Sequence, residues 1–258
     1  MINLREIYEY REMITSLVRR DLRGRYKASV LGFLWTFINP LCQIIVYSFV
    51  FSTIMRTGIE KFYVYLVCGM IPWIFFSTAV QGGTTCIKNQ SEMVKKIYFP
   101  REVLPISFVT SAFVNMLFCF VMIFAAILVS GLGFNPVALL FLPPIMLVEY
   151  FMALGFSMIV SALTVYFRDM EHITGVIMMA WIYLTPIMYS VEMIPEKLRG
   201  LFNFNPMTPV VQTYQKILYY RELPNAGTFV YAVILAIVIL FIGSIVFKKL
   251  EKNFAEEL

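Results

Sequence analysis

The sequence predicts an all-α integral membrane protein with six crossings, and three observations carry that prediction. First, six long apolar stretches, at residues 31–55, 62–83, 103–130, 137–166, 173–190 and 226–247, contain one charged residue between them, Glu149, although the chain has 21 Lys and Arg and 16 Asp and Glu. A charge at the centre of a bilayer is costly, and a charge-free run of about 20 residues is long enough to span the hydrocarbon core as a helix. Second, the chain is 60% hydrophobic and only 14% charged, whereas soluble domains carry about 25% charged residues. Third, the basic residues are unevenly placed. With six crossings both termini share a side, and that side collects 15 Lys and Arg against six opposite. Positive charge stays inside, so both termini are expected in the cytoplasm.

No connecting segment approaches the roughly 100 residues of an independent soluble domain. The expected organisation is a single transmembrane domain over 1–258. It comprises an amphipathic interface helix at 1–30, a six-span core at 31–247 and a cytoplasmic tail at 248–258.

Each element has its own signature. Before the first crossing, Leu4, Ile7, Ile14, Leu17, Val18 and Leu22 share one helical face, with Arg19, Arg20, Arg23 and Lys27 off it. A basic amphipathic helix beside a crossing belongs at the membrane surface, where an anionic-lipid anchor and a docking role are both open. The first 30 residues hold no apolar run of the kind a cleavable signal needs, so the first crossing is expected to be retained. Between the second and third crossings, Asn89 precedes Glu92 in a variant capping box. Met93, Val94, Ile97 and Tyr98 then form a stripe with Lys95 and Lys96 off it, and Pro100 stops the run. A short helix over 90–99 follows, suited to the membrane surface or to a groove on a partner.

The third and fourth stretches exceed the length needed to span, so tilt or projection is expected. Pro105, Pro143 and Pro144 lie near their starts. The connection at 191–225 is too apolar for a solvated loop. Thr208 and Pro209 are N-cap and N1 signals. Val210, Val211, Tyr214, Ile217 and Leu218 follow at helical spacing, opposite Gln212, Gln215 and Lys216. Short re-entrant helices are expected here.

Chemistry is sparse. There is no Gly-rich phosphate loop ending in Lys-Ser/Thr and no metal-ligand spacing. Cys42, Cys68, Cys86 and Cys119 lack CxxC spacing, and the single histidine, His172, sits in a tight loop. No catalytic residue, metal or resident cofactor is expected. A net charge of +5 raises nucleic acid as a partner, but the aromatics that would stack on bases lie inside the spans, and no such partner is expected. Glu149 has three readings: a hydrogen-bonded acid at a helix interface, a polar channel wall, or a proton-coupling group.

Three stretches carry a family resemblance. They are Arg20-Asp-Leu-Arg-Gly-Arg-Tyr-Lys-Ala-Ser-Val-Leu-Gly-Phe-Leu-Trp35 running on to Pro40-Leu41, Lys95-Lys-Ile-Tyr-Phe-Pro-Arg-Glu-Val-Leu-Pro105, and Phe167-Arg-Asp169. With Thr185-Pro-Ile187 and Asn205-Pro206 in order behind them, the chain resembles the membrane subunit of polysaccharide-export ABC transporters, which carry teichoic acid, O-antigen or capsular polymers. The resemblance implies the type-2 exporter fold, a homodimer in the plasma (inner) membrane, and two separately encoded ATPase subunits that hold ATP and Mg. It implies a transport subunit rather than an enzyme, with lipid-linked polysaccharide as substrate. It assigns ATPase coupling to Lys95, Lys96, Phe99, Pro100, Arg101 and Glu102, and to Arg168 and Asp169. By residue type alone, a helix-stop turn with a snorkelling arginine also explains 99–102, and a capping or local ion-pair role also explains Arg168 and Asp169. The resemblance further places Trp35, Tyr47, Trp181, Tyr183 and Tyr189 on path-lining spans, where aromatic faces can stack on sugars; packing explains each residue equally. The alternatives are an ABC exporter of a drug or lipid, a membrane glycosyltransferase or ligase, and a non-transporting scaffold.

Overall fold

The computed structural model describes residues 4–26 and 31–257; Lys27 and the rest of the motif at 27–30 lie outside them. Among the described residues every regular element is helical. Two helices precede the bundle, α1 (Leu4–Glu9) and α2 (Arg11–Tyr26). The amphipathic reading of α2 holds, with a specific partner. Met13, Ile14 and Leu17 pack on the core while Arg19, Arg20 and Arg23 stay exposed. The helix lies against the third crossing, where the Ser111 hydroxyl donates to Asp21.

The first crossing starts with a 3-10 turn at Gly32–Leu34, continues as α3 (Trp35–Ser48) and ends as a π-helical segment at Phe49–Ile54. The second is α4 (Phe62–Cys86), three residues longer than predicted. After the short α5 (Ser91–Lys96) comes the third crossing, α6 (Val103–Ser130). The fourth predicted stretch is two helices, α7 (Pro136–Leu139) and α8 (Leu142–Tyr166). Pro143 and Pro144, which lack N–H donors and clash with the preceding turn, sit in the first turn of α8, where those donors are not needed.

Helix α4 is the axis of the molecule. Its most apolar window is 78% buried, against 11% for the first crossing. It packs on α3, α6 and α8. Helix α9 (Met170–Trp181) completes this side, and α10 (Glu196–Phe204), α11 (Met207–Gln215) and a π-helical turn at Lys216–Tyr220 lead to α12 (Ala226–Leu250). A 3-10 turn, Glu251–Asn253, and α13 (Phe254–Glu257) end the described chain.

The most extensive helix pairing is α8 with α12. Glycine makes it possible. A Cβ on Gly243 would fall 2.4 Å from the Gly155 carbonyl oxygen, and one on Gly155 would fall 2.7 Å from the backbone of Ile239 and Leu240. Small residues let membrane helices approach backbone to backbone where no hydrophobic drive separates them from lipid.

Five helical segments among the described residues are long and apolar enough to cross a membrane. The stretch at 173–190 is built differently from the other predicted crossings. Its helix, α9, has 12 residues, a length of about 18 Å, which is short of the roughly 30 Å core. From Ile182 the chain continues in turns to Ser190. Pro186 cannot supply the amide a continuing helix needs.

The two ends of the bundle differ. At the α7 end the connections are tied to each other by side chains on backbone carbonyls. Lys61 donates to the Ser130 carbonyl at 2.7 Å, Tyr219 to Glu60 at 2.6 Å, Arg221 to Leu132 at 2.7 Å and Asn135 to Arg221 at 2.9 Å. Arg221 takes a left-handed backbone, φ 58°, to turn the chain there. The α5 end gathers α2, α5, the α8–α9 turn and α13.

Candidate functional site

The α5 end holds the residues singled out for coupling, and the structure divides them. Lys95 and Lys96 are exposed, with Lys96 2.5 Å from Glu92. Phe99, Pro100 and Glu102 are buried, and Arg101 is half-buried. The Arg101 guanidinium donates to the Glu251 carbonyl. Burial raises the Glu102 carboxyl above the usual carboxylate value; its backbone N–H and the nearby Lys248 oppose the rise. The first half of the motif therefore faces outward and the second half anchors it.

The helix is shorter than the predicted 90–99. It ends at Lys96, and Ile97 is already extended, φ −127° and ψ 134°. A residue before proline avoids the α region, and here the extended path runs back from Phe99 to Ile97. Asn89 is not the cap: Gln90 holds that place and makes no side-chain cap bond. The predicted stripe is thereby split. Val94 is buried, whereas Ile97 and Tyr98 project outward, Tyr98 at 90% exposure. Helical periodicity put Tyr98 on the apolar stripe, but the helix ends two residues before it and its ring stands in the open.

Arg168 and Asp169 lie exposed in the α8–α9 turn at this same end. Asp169 precedes α9 without making a cap bond. Helix α13 packs on both α5 and α8, the helix that leads into the Arg168–Asp169 turn.

The second region joins α9 to α11. Asn205 satisfies its whole side chain across the two motifs Thr185-Pro-Ile187 and Asn205-Pro206. Its Oδ1 accepts from Trp181 Nε1 at 2.8 Å and from the Met207 amide at 3.0 Å. Its Nδ2 donates to the Leu184 carbonyl and to Thr185 Oγ1, both at 2.9 Å. That is the full capacity of an amide side chain. Helix α11 begins at Met207 with Pro206 as its N-cap, not at Thr208, whose hydroxyl is buried without a hydrogen-bond partner. Asn205, three residues before the predicted cap Thr208, supplies the acceptor.

Helix α11 is buried on nearly every side, including Gln215, predicted to lie on its polar face. Gln215 donates instead to the Pro186 carbonyl at 3.2 Å. The helix sits close to α4 at Gly69, where an added Cβ would be 3.1 Å from Val211 and 3.2 Å from Gln215. Its Tyr214 hydroxyl donates to Glu149 Oε2 at 2.7 Å, and both side chains are fully buried. Glu149 thus accepts a hydrogen bond through one oxygen at a helix interface, tying α8 to α11.

The aromatic residues separate into two groups. Trp181 is half-buried in a cluster with Trp73, Phe76 and Phe156, at ring distances of 5.4–6.4 Å. Tyr47, Tyr183 and Tyr189 gather elsewhere: Tyr189 donates to the Tyr183 carbonyl at 2.6 Å, and Tyr47 and Tyr183 are side-chain neighbours. Trp35 stands exposed at the start of α3. An apolar groove of about 740 Å³ runs between α3, α4 and α6, lined by Phe37, Leu41, Ile45, Tyr63 and Val121 among others.

A family model described as ABC-2 type transporter matches residues 12–219. Over its full length the chain is 35% identical to an O-antigen export system permease protein RfbA of Myxococcus xanthus, which is also covered in full. It is 31% identical to an RfbA protein of Klebsiella pneumoniae, covering 95% of this chain and 94% of that one. A polysialic acid transport protein, KpsM, of Escherichia coli is 21% identical over 93% of each chain. The match spans α2 to the turn after α11, taking in α5, the α8–α9 turn and the α9–α11 junction, and the chain belongs to the ABC-2 type transporter family.

Proposed function

We propose that this chain is the permease subunit of an ATP-driven exporter that moves lipid-linked polysaccharide across the plasma membrane. The observation that carries the proposal is its end-to-end likeness to O-antigen export permeases. The α5 end supports it physically. Lys95, Lys96, Ile97 and Tyr98 form an exposed, partly apolar and partly basic knob on a short element braced from behind. Such a knob fits a groove on a separate subunit. In this reading the α5 end faces the cytoplasm and docks an ATPase that holds ATP and Mg. Arg168 and Asp169 supply a second contact. Two copies of the chain pair, and the polymer passes along the face that carries Tyr47, Tyr183 and Tyr189.

Deleting this chain in its host tests the reading. Undecaprenyl-linked glycan accumulates on the cytoplasmic face and surface polymer disappears, while glycan synthesis continues. Unchanged surface glycan together with new sensitivity to a drug would assign the chain to a different cargo.

A further inference from the structure

The segment after the last crossing looks in sequence like a charged tail, Glu251-Lys-Asn-Phe-Ala-Glu-Glu-Leu258. In the structure it is packed. Phe254 is completely buried, with its ring 5.5 Å from Phe247 at 90° and 6.4 Å from Tyr166. Tyr166, at the end of α8, donates its hydroxyl to the Leu250 carbonyl at 2.7 Å. One residue later the Glu251 carbonyl takes the Arg101 guanidinium. Helix α13 rests on α5 and α8. A cavity of about 450 Å³ separates this tail from the coupling segment, lined by Lys96, Phe99, Glu102, Lys248 and Lys252.

We propose that residues 251–254 are a clamp that positions the coupling segment. Phe254 wedges the chain between the ends of α8 and α12. The turn this forces presents the Glu251 carbonyl to Arg101. The stretch 97–102 is then held from two sides, by its covalent run into α6 and by the tie to α12. Without the wedge, the 3-10 turn has no reason to stay, because a short charged tail is better solvated than folded and its ordering entropy is unopposed. Phe254 and Arg101 are positioning residues in this account; Lys95, Lys96 and Tyr98 make the outward contact. The coupling role rests on the proposed function, but the clamp itself does not.

Amide exchange on the purified chain, alone and with its ATPase, tests both parts. Phe254→Ala should speed exchange across 97–102 by about tenfold while α4 and α8 stay protected, since only a local opening is made easier. In the complex the same variant should retain the ATPase but lose about fivefold of the hydrolysis that the permease stimulates. Phe254→Leu should restore most of both. Ending the chain after Leu250 should reproduce Phe254→Ala. If Phe254→Ala does not accumulate in the membrane, Arg101→Met removes only the tie and is expected to loosen 97–102 in the same way. Unchanged exchange in these variants overturns the clamp. Faster exchange with unaltered stimulation and export overturns its part in coupling. A wild-type chain that pairs with no ATPase counts against the proposed function and leaves the exchange result standing.

Discussion

Both ends of this molecule spend side chains on carbonyls, as Arg101 does on Glu251 at the α5 end, but they differ in what they leave uncovered. At the α7 end, cationic and amide side chains are spent on the carbonyls of neighbouring turns, as in the reciprocal pair of Arg221 on Leu132 and Asn135 on Arg221. Behind that lattice, Asn205 and Tyr214 fasten α11 into the core. At the α5 end, Lys95, Tyr98, Arg168 and Asp169 point away from the chain. An end that satisfies its own polar groups is complete by itself. An end that turns lysines and a bare tyrosine outward from a braced element is shaped for something else to cover.

Substitutions can sharpen or break this contrast. The largest effect is expected from Asn205→Ala. It removes the acceptor of the half-buried Trp181 N–H and uncaps α11, and the Leu184 carbonyl turns to solvent, at a cost of roughly 2–4 kcal/mol, since each such bond nets about 0.5–1.5 kcal/mol. Thermal unfolding of the detergent-purified protein reads it, and a midpoint close to wild type would refute the hub. Tyr214→Phe leaves Glu149 without its donor and should cost about 1–3 kcal/mol. Glu149→Gln keeps an acceptor for Tyr214 but places an amide N–H2 where Oε1 has no partner, and should cost about as much as Tyr214→Phe; a midpoint at wild type in either variant would show that the bond contributes nothing. Arg221→Ala, at an exposed tie, should cost only about 0.5–1.5 kcal/mol. The smallest effect on the fold, within about 0.5 kcal/mol, is expected from Lys95→Ala combined with Tyr98→Ala. There the loss should appear as weaker co-purification of the ATPase. Destabilisation of the isolated protein by that pair would erase the distinction between the ends.

Five of the six predicted spans were legible because a charge-free run of that length has one stable environment, while the equally charge-free 173–190 holds a helix that stops at Trp181; the amphipathic face of α2 was legible because helical period needs only local residues. Long-range contacts were not. The Thr185-Pro-Ile187 and Asn205-Pro206 motifs could be seen separately, but nothing in either says that one amide side chain closes both. Thr208 had the right chemistry for a cap and lost to Asn205, whose oxygen was better placed. Period also overran α5, because Ile97 and Tyr98 fit a helical stripe while the backbone obeyed Pro100. Glu149 was found as an anomaly and not as half of a pair, since its partner lies 65 positions away. Phe254 was invisible for a related reason: one aromatic in a charged tail has no pattern around it.

The glycine crossing of α8 and α12 has a mechanical consequence. Most packed helices can creep past one another by changing rotamers at the contact. Where the Gly243 Cα position faces the Gly155 carbonyl there are no rotamers to change. Each helix is 25 residues, about 37 Å at 1.5 Å per residue, and at this one crossing their separation is set by backbone alone. Any side chain larger than hydrogen at 155 or 243 has to push the two backbones apart, so the pair has a spacing that only glycine permits.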